Sequence, residues 1–348
     1  MHAVVIGAGI AGLATAALLG REGYEVTVVD SLDEVGGRAG SFEEAGFRWD
    51  TGPSWYLMPE AFDHFFALCG TSTEAELDLV DLSPAYRVFH GDVPVDVHSG
   101  TEEVTALFES LEPGAGEKVR EYLAQASDTY EMALKHFLYT TFSAPLNLVH
   151  RDIRTRISRL MALLTVNLKQ YVGRTFSDAR LRQILSYPAV FLSSEPAAAP
   201  ALYSLMSHTD LVEGVRYPQG GFGAVMDAFY DLAVEQGVQF SFDTEVAAIN
   251  YSGRKATGVT RIDGQRLDAD IVISCADLHH TETRLLPKEK RTYDERYFAP
   301  RDPGLGTVLV MLGVEGEIPE LAHHNLLFSR EWGEDFAAVF DGPVPQRP

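Results

Sequence analysis

The sequence predicts an α/β protein in which an α+β segment is inserted into a domain built on a parallel sheet. Residues 3–30 combine an apolar strand, a glycine-rich turn, a helix of small residues and a second strand. Strand patterns of the same kind return over residues 238–274, and the long section between lacks them. At about 100–200 residues per domain, a chain of 348 residues has room for two domains.

The first strand and turn predict a Rossmann-type nucleotide site. Residues 3–6 form a continuous β-rich apolar run, as expected of a strand that is buried on both faces. Gly7, Gly9 and Gly12 follow with the spacing G-x-G-x-x-G. The first glycine allows the tight turn, the second lets the backbone approach a pyrophosphate, and the third lets the helix lie close to the strand. The free N–H groups of the helix start attract the phosphates.

An acidic residue closes the second strand. Asp30 follows the strand pattern of residues 25–29 and lies 18 residues after Gly12, where a carboxylate accepts hydrogen bonds from a ribose 2′-hydroxyl. A carboxylate there repels a 2′-phosphate and therefore disfavours NADP. NAD and FAD both remain open at this point.

A second glycine motif favours FAD. Gly36-Gly37-Arg38 resembles the second fingerprint of the large flavoprotein family that includes amine oxidases and glutathione-reductase-like folds. In that family the arginine contacts the FAD phosphates, and the segment matching Asp50–Ser54 lies beside the flavin. Two glycines let the backbone pass the cofactor, and a guanidinium that is always charged offsets the diphosphate.

The middle section reads as a substrate domain. Residues 78–97 predict strands, and residues 101–139 have a helical period that Pro113-Gly114 interrupts. Residues 151–182 contain eight Lys or Arg and two Asp, a local charge of +6 in a chain of net charge −22. This basic amphipathic segment follows an uncharged aromatic stretch at residues 136–150. The two segments together favour contact with a membrane surface.

The nucleotide-binding pattern resumes after residue 212. A Tyr-Pro-Gln-Gly-Gly break at residues 217–221 precedes a helix, and strands are predicted at 238–242, 245–249 and 269–274. We therefore predict FAD-binding segments at residues 1–75 and 213–286, and substrate-domain segments at 76–212 and 287–348.

Taken together, these motifs resemble the phytoene-desaturase family of FAD-dependent carotenoid desaturases and isomerases. The residues that carry the resemblance are 4–30, 35–41, 50–54, 211–221, 243–249, 274–277 and, in style, 323–340. The resemblance implies a glutathione-reductase/amine-oxidase-like fold, FAD, and hydride removal from a polyene such as phytoene. It implies cofactor contacts at Gly7, Gly9, Ile10, Ala11, Gly12, Asp30, Ser31, Gly37, Arg38, Gly52, Pro53, Ser54, Val246, Ala276 and Asp277.

The chain also departs from that family. Members run to about five hundred residues, and their last segment returns to the nucleotide domain with a glycine-rich loop under the flavin ring. This sequence stops at Pro348, so we expect a truncated product, and Cys275 stands where the family often has Asn. Family acid–base groups are an Asp and an Arg about one helical turn apart, which Asp152 with Arg154 or Arg156 matches.

Composition excludes several classes. The charge of −22 argues against nucleic-acid binding, since phosphate backbones are bound by Lys and Arg. Two cysteines are too few for a disulfide framework, and the histidines lack metal-ligand spacing, so we predict no metal site. Residues 1–20 lack the basic region of a signal peptide, and no apolar run is long enough to span a bilayer. We expect a cytoplasmic protein, peripheral on the inner face of the membrane.

Three functions remain open from the sequence. The first is the carotenoid-type oxidoreductase. The second is another enzyme of the same fold, such as an amine oxidase or a protoporphyrinogen oxidase. The third is a flavin-free, lipid-binding chaperone that resembles GDP-dissociation inhibitors. The intact Gly-Gly-Arg motif and Asp30 argue against the third, and the missing C-terminal loop favours it. The oligomeric state is not predicted.

Overall fold

The structure, a computed structural model, describes residues 1–91, 93–140, 151–301, 303–330 and 332–342. It divides the chain into two compact units. The first contains Met1–Val80, Tyr217–Asp302 and Leu309–Gly313, and the second contains Asp81–Arg216, Pro303–Val308 and Val314–Pro348. Residues 287–302, which the sequence predicts for the substrate domain, therefore belong to the first unit.

The regular elements follow in chain order. The strands are β1 (His2–Ile6), β2 (Glu25–Val29), β3 (Ser41–Glu44), β4 (Phe47–Asp50), β5 (Leu79–Asp81), β6 (Tyr86–His90), β7 (Val93–Val97), β8 (Arg216–Pro218), β9 (Gln239–Ser241), β10 (Val246–Ser252), β11 (Lys255–Arg261), β12 (Arg266–Asp268), β13 (Ile271–Ser274) and β14 (Asn325–Phe328). The α-helices are α1 (Ile10–Arg21), α2 (Pro59–Cys69), α3 (Thr73–Glu76), α4 (Thr101–Leu111), α5 (Ala115–Ala133), α6 (Arg151–Thr165), α7 (Leu168–Gly173), α8 (Ala179–Ser186), α9 (Phe222–Glu235), α10 (Leu278–His280), α11 (Glu295–Phe298) and α12 (Trp332–Asp341).

Shorter helical turns complete the list. Segments of π-helix span Leu134–Leu138, His208–Glu213 and Thr281–Leu285. Segments of 3₁₀-helix span Gly37–Ala39, Tyr187–Leu192, Ala201–Leu205 and Lys288–Lys290.

The first unit is built on a parallel sheet with the strand order β13-β1-β2-β9. Ala3, Val4 and Val5 have no exposed surface, because layers cover both faces of β1. α1 connects β1 to the parallel β2, as a crossover must. The α/β, Rossmann-type prediction is confirmed.

Two different layers cover this sheet. On one face, Ala3 and Val5 pack in a core with residues of α1, α2 and α9. The rings of Phe65 and Phe229 stack there with centroids 4.0 Å apart, a geometry worth about 0.5–1.5 kcal/mol beyond its buried area. On the other face, Val4 packs in a second core with residues of the antiparallel sheet β10-β11-β12.

The second unit mixes helices with a small sheet. β6 pairs antiparallel with β7 and parallel with β14. Between α4 and α5 the chain turns at Gly114, whose φ of +79° suits glycine. The Glu109 carboxylate accepts hydrogen bonds of 3.0 Å from the N–H groups of Gly114 and Gly116, which satisfies donors at the start of α5.

A buried carboxyl group lies inside the second unit. Asp210, in a π-helical turn, accepts hydrogen bonds at Oδ2 from the hydroxyls of Tyr86 (3.1 Å) and Tyr187 (2.9 Å). Its Oδ1 atom has no partner among the described residues. Burial raises the pKa of Asp210 to about 7, because the charged form loses its hydration.

This carboxyl group predicts a pH-dependent stability. The unfolded carboxyl has a pKa of 3.8, whereas the folded one holds its proton up to about pH 7. The contribution of Asp210 is therefore complete below pH 3.8 and is lost as the pH rises through about 7. Between about pH 5 and pH 8, the free energy of unfolding of wild type, measured in urea, should fall by about 2 kcal/mol relative to that of Asp210→Asn.

Asp128→Asn is the matched control. The Asp128 carboxylate is paired with arginines that lower its pKa to about 2. The difference in free energy of unfolding between Asp128→Asn and wild type should therefore stay constant over the same pH interval. A pH-independent difference between wild type and Asp210→Asn would contradict the assignment.

Candidate functional site

Three glycines shape the turn between β1 and α1. Gly7 has a φ of +103°, and its N–H donates to the Val29 carbonyl over 2.8 Å. A Cβ at Gly12 would lie 1.8 Å from the Gly7 carbonyl oxygen, so no larger residue fits without moving the turn. A Cβ at Gly9 would meet nothing closer than 3.8 Å, which leaves its backbone open to a ligand. The tight turn at Gly7 and the close packing at Gly12 agree with the sequence pattern, and the approach of a pyrophosphate to Gly9 stays a prediction.

Asp30 is fixed beside this turn. Its Oδ2 accepts a hydrogen bond of 2.6 Å from the Ala8 N–H, and its Oδ1 accepts one of 2.9 Å from the Leu32 N–H. Each carboxylate oxygen has a second lone pair, so the group holds the turn and still offers acceptors to a ribose hydroxyl.

The second glycine motif closes over the first. Gly36 donates its N–H to the Ala8 carbonyl over 3.0 Å and has a φ of +119°, which suits glycine. Arg38 follows in a 3₁₀ turn, and a Cβ at Gly52 would lie 1.9 Å from the Arg38 carbonyl oxygen. Within the described part of the chain, the Arg38 guanidinium forms no ion pair with a carboxylate. It is therefore free to meet a phosphate.

The end of β13 and the start of β10 form the third side of the candidate site, beside the two glycine motifs. The Cys275 N–H donates to the Ile6 carbonyl over 2.8 Å, which keeps the end of β13 beside β1. Burial raises the pKa of the Cys275 thiol, so it stays protonated at neutral pH. The Asp277 carboxylate accepts a hydrogen bond of 3.0 Å from the His280 N–H at the start of α10.

These segments surround a cavity of about 840 Å³ in the first unit, within the range of about 300–1,000 Å³ typical of ligand sites. Predicted cofactor residues that line it are Gly7, Gly9, Ile10, Ala11, Asp30, Ser31, Gly37, Arg38, Pro53, Val246, Ala276 and Asp277. Lining residues that the sequence did not single out as cofactor contacts include Leu32, Thr244, Glu245, Leu278, His280 and Leu285. Their contacts with FAD stay a prediction.

Three predicted contact residues are not among those that line the cavity. Gly12 packs against the Gly7 carbonyl, and Gly52 packs against the Arg38 carbonyl. Their contacts with FAD stay a prediction. Ser54 is likewise absent from the lining, whereas its neighbour Pro53 is present.

The Tyr-Pro-Gln-Gly-Gly block has a structural role in this unit. The Asp50 carboxylate accepts hydrogen bonds from the N–H groups of Phe222 (2.8 Å) and Gly223 (3.3 Å), at the start of α9. A Cβ at Gly221, whose φ is +84°, would lie 2.7 Å from this carboxylate. Asp50 therefore caps α9 from a distant strand, and the second glycine of the block makes room for it.

The predicted catalytic residues belong to the second unit. The side chain of Asp152 lies outside the described residues, and Arg154 is exposed on α6. Arg156 donates from Nη2 to the Asp128 carboxylate over 2.7 Å, and Arg159 contacts the same carboxylate. These arginines lower the pKa of Asp128 to about 2. The catalytic roles of Asp152, Arg154 and Arg156 stay a prediction, and Asp128 is a partner that the sequence did not reveal.

The geometry of the first unit defines a dinucleotide-binding protein. A glycine turn, a carboxylate and an unpaired guanidinium meet around one cavity at the carboxyl ends of parallel strands, where open α/β sheets bind their ligands.

Comparison with known proteins is specific. The sequence pattern of the family described as flavin containing amine oxidoreductase matches residues 10–311. A carotenoid 3,4-desaturase from Haloarcula japonica is 38% identical, over 98% of this chain and 68% of that protein. A zeta-carotene-forming phytoene desaturase from Myxococcus xanthus is 34% identical, over 99% of this chain and 66% of that protein. An oxidoreductase structure from Methanosarcina mazei shares the fold, with a TM-score of 0.56 at 22% identity over 86% of this chain and 64% of that chain.

The chain belongs to the flavin containing amine oxidoreductase family. This membership confirms the predicted FAD-dependent oxidoreductase class and the resemblance to carotenoid desaturases. It also decides between the two cofactors that Asp30 left open, in favour of FAD. The chain spans about two thirds of the length of these relatives.

Gly12→Ala should disrupt the turn. The added methyl group would lie 1.8 Å from the Gly7 carbonyl oxygen, so strand and helix must separate. We expect the free energy of unfolding to fall by about 1–3 kcal/mol and FAD binding to be lost. Gly173→Ala is the control, since its Cβ would meet nothing within 4 Å. Unchanged FAD affinity in Gly12→Ala, measured by flavin fluorescence quenching, would contradict this role.

Arg38→Gln should weaken FAD binding without unfolding the protein. Hydrogen bonds to charged groups contribute about 1.5–3 kcal/mol each, so the Kd for FAD should rise about 10-fold to 100-fold. Arg254→Gln, which removes one exposed charge outside the cavity, should leave the Kd unchanged. Equal affinities of Arg38→Gln and wild type would show that this guanidinium does not meet the diphosphate.

Proposed function

We propose that the protein is a carotenoid-type oxidoreductase that desaturates or isomerises a polyene such as phytoene, and that the glycine-lined cavity binds the ADP half of FAD. The observation that carries the cofactor proposal is the convergence of Asp30, the Gly7–Gly12 turn and Arg38 on one cavity of about 840 Å³. The substrate proposal follows from the relatives, which carry the names of carotenoid and phytoene desaturases.

The chain's own residues supply binding and orientation. Asp30 offers acceptors to ribose, the backbone at Gly9 lets the pyrophosphate approach, and Arg38 offsets its charge. When bound, FAD supplies the two-electron oxidant that takes a hydride from an allylic carbon, while the neighbouring carbon loses a proton as the double bond forms. We assign the proton-handling groups to Asp152 with Arg154 or Arg156, as the family resemblance implies.

A membrane surface is the proposed source of the polyene. On α6, Ile157, Met161 and Leu164 are 51%, 52% and 50% exposed and recur on one side of the helix. Ile153 and Leu160 of the same helix are buried in the second unit, and four arginines lie along it. An exposed apolar stripe beside arginines suits an interfacial helix. Transfer of a polyene from water into lipid is favourable by about 0.8 kcal/mol for each CH₂ group.

No helix in the described part of the chain is both long and apolar enough to cross a bilayer. From the exposed apolar stripe of α6 we propose peripheral contact with the inner face of the membrane, made through this helix.

The test compares substrates and their delivery. A colourless polyene is offered to the FAD-loaded protein without oxygen, either in phospholipid vesicles or in detergent. We expect loss of the oxidised-flavin absorbance and a shift of polyene absorption to longer wavelength. The triple variant Ile157→Ser, Met161→Ser, Leu164→Ser should slow the reaction at least about tenfold from vesicles and leave it unchanged in detergent.

The control for this variant replaces exposed apolar residues of the first unit, Leu68→Ser, Val234→Ser and Ile262→Ser, and should react normally from vesicles. Flavin reduction by a primary amine or by protoporphyrinogen, with none by the polyene, would contradict the proposed substrate class. Equal rates of the α6 variant and its control from vesicles would contradict the membrane contact alone.

A further inference from the structure

A second, smaller cavity lies entirely within the second unit. Its volume is about 240 Å³, below the range of about 300–1,000 Å³ for drug-sized ligands. This is far below the volume of about 840 Å³ of the cavity in the first unit, which we call the flavin-site cavity because we propose that it binds FAD. The second cavity is too small for a carotenoid and suits a compact head group. Residues from α7, α8, α12 and the segment 195–197 line it.

Three cations line this cavity without anionic partners. Lys169, Arg182 and Arg330 contribute to the wall, and among the described residues none of their side chains forms an ion pair or hydrogen bond. Glu195 is the single acid in the lining, which leaves a local charge of +2. The whole chain carries 50 acids against 28 Lys and Arg, so the local charge at this cavity is opposite in sign to the net charge of the chain.

The cavity walls are held in place from behind. Gln183 Oε1 accepts a hydrogen bond of 2.7 Å from His90 Nδ1, and Gln183 Nε2 donates to the Ser329 carbonyl over 2.8 Å. This amide therefore joins α8 to the ends of β6 and β14, just before Arg330. The Trp332 and Phe336 rings, 5.5 Å apart, form an apolar side.

An exposed apolar turn lies in the sequence between residues that line the cavity. Val190, Phe191 and Leu192 are all exposed, and they lie between the lining residues Ser186 and Glu195 in the sequence. Two guanidiniums and an ammonium match the oxygens of a phosphate, since arginine donates to phosphate in pairs. Apolar side chains beside such a site suit the boundary between lipid head groups and acyl chains.

We propose that this cavity binds the phosphate of an anionic phospholipid head group, with Val190–Leu192 entering the apolar edge of the bilayer. The inference rests on the proposed membrane contact and deepens it, because it adds a head-group site in the same unit as α6. The same phosphate chemistry would come from a free phosphate ester, and the test separates the two sources.

The test measures binding to phosphatidylcholine vesicles with and without phosphatidylglycerol, at physiological ionic strength. Emission of Trp332 is followed with brominated lipids as quenchers, and Trp332→Phe supplies the background. The double variant Lys169→Gln, Arg182→Gln should bind phosphatidylglycerol vesicles at least about tenfold more weakly than wild type. The double variant Arg174→Gln, Arg254→Gln removes the same charge outside the cavity and should bind within about twofold of wild type.

Two results would overturn the proposal. One is an equal loss of vesicle binding in both double variants, which indicates diffuse charge attraction. The other combines two observations: inorganic phosphate changes the Trp332 emission of wild type but not of the variant Lys169→Gln, Arg182→Gln, and that variant still binds vesicles as wild type does. This combination would indicate that the site binds a free phosphate ester. FAD titration of every variant is the parallel readout, because a failure of this site leaves FAD affinity intact, whereas a failure of the proposed function does not.

Discussion

The structure of the first unit depends on one close backbone contact. α1 can begin directly after β1 only because the Gly12 Cα faces the Gly7 carbonyl at a distance that excludes a Cβ. This contact fixes where the first N–H groups of α1 point and brings Ala8 within 2.6 Å of the Asp30 carboxylate. The Gly36 N–H then pairs with Ala8, which places Arg38 over the same cavity. One turn thus positions the Gly9 backbone, Asp30 and Arg38 around the cavity in which we propose that the ADP half of FAD binds.

Charge pairing separates structural cations from those available to ligands. Arg156 and Arg159 share the Asp128 carboxylate, Arg87 pairs with Asp96, and Arg180 pairs with Asp178. Arg38 in the flavin-site cavity has no such partner among the described residues, and the cations of the smaller cavity have none either. Other arginines, such as Arg174 and Arg254, also form no ion pair among the described residues, but they line neither cavity. The cations proposed to meet ligands are those that lack a carboxylate partner and also line a cavity.

The sequence predicted what depends on neighbours along the chain. The Gly7–Gly12 turn, Asp30 and the Gly36–Arg38 motif are local patterns. The structure places the turn directly after β1, Asp30 directly after β2, and Arg38 in a 3₁₀ turn that borders the same cavity. Contacts between segments that are distant in the chain could not be predicted from the sequence. Asp50 caps α9 from 172 residues away, and Asp210 meets Tyr86 across 124 residues. The close approach of Gly52 to the Arg38 carbonyl is likewise visible only in the fold.

Recognition of the ADP half of FAD by the cavity of the first unit is the basis of the proposed function. Calorimetric titration of the chain with FAD, and with FMN, which lacks the adenosine part, tests this claim directly. We predict saturable binding of FAD, displacement of FAD by ADP, and no binding of FMN at the same concentrations. Equal binding of FAD and FMN, or FAD binding that ADP does not displace, would contradict it.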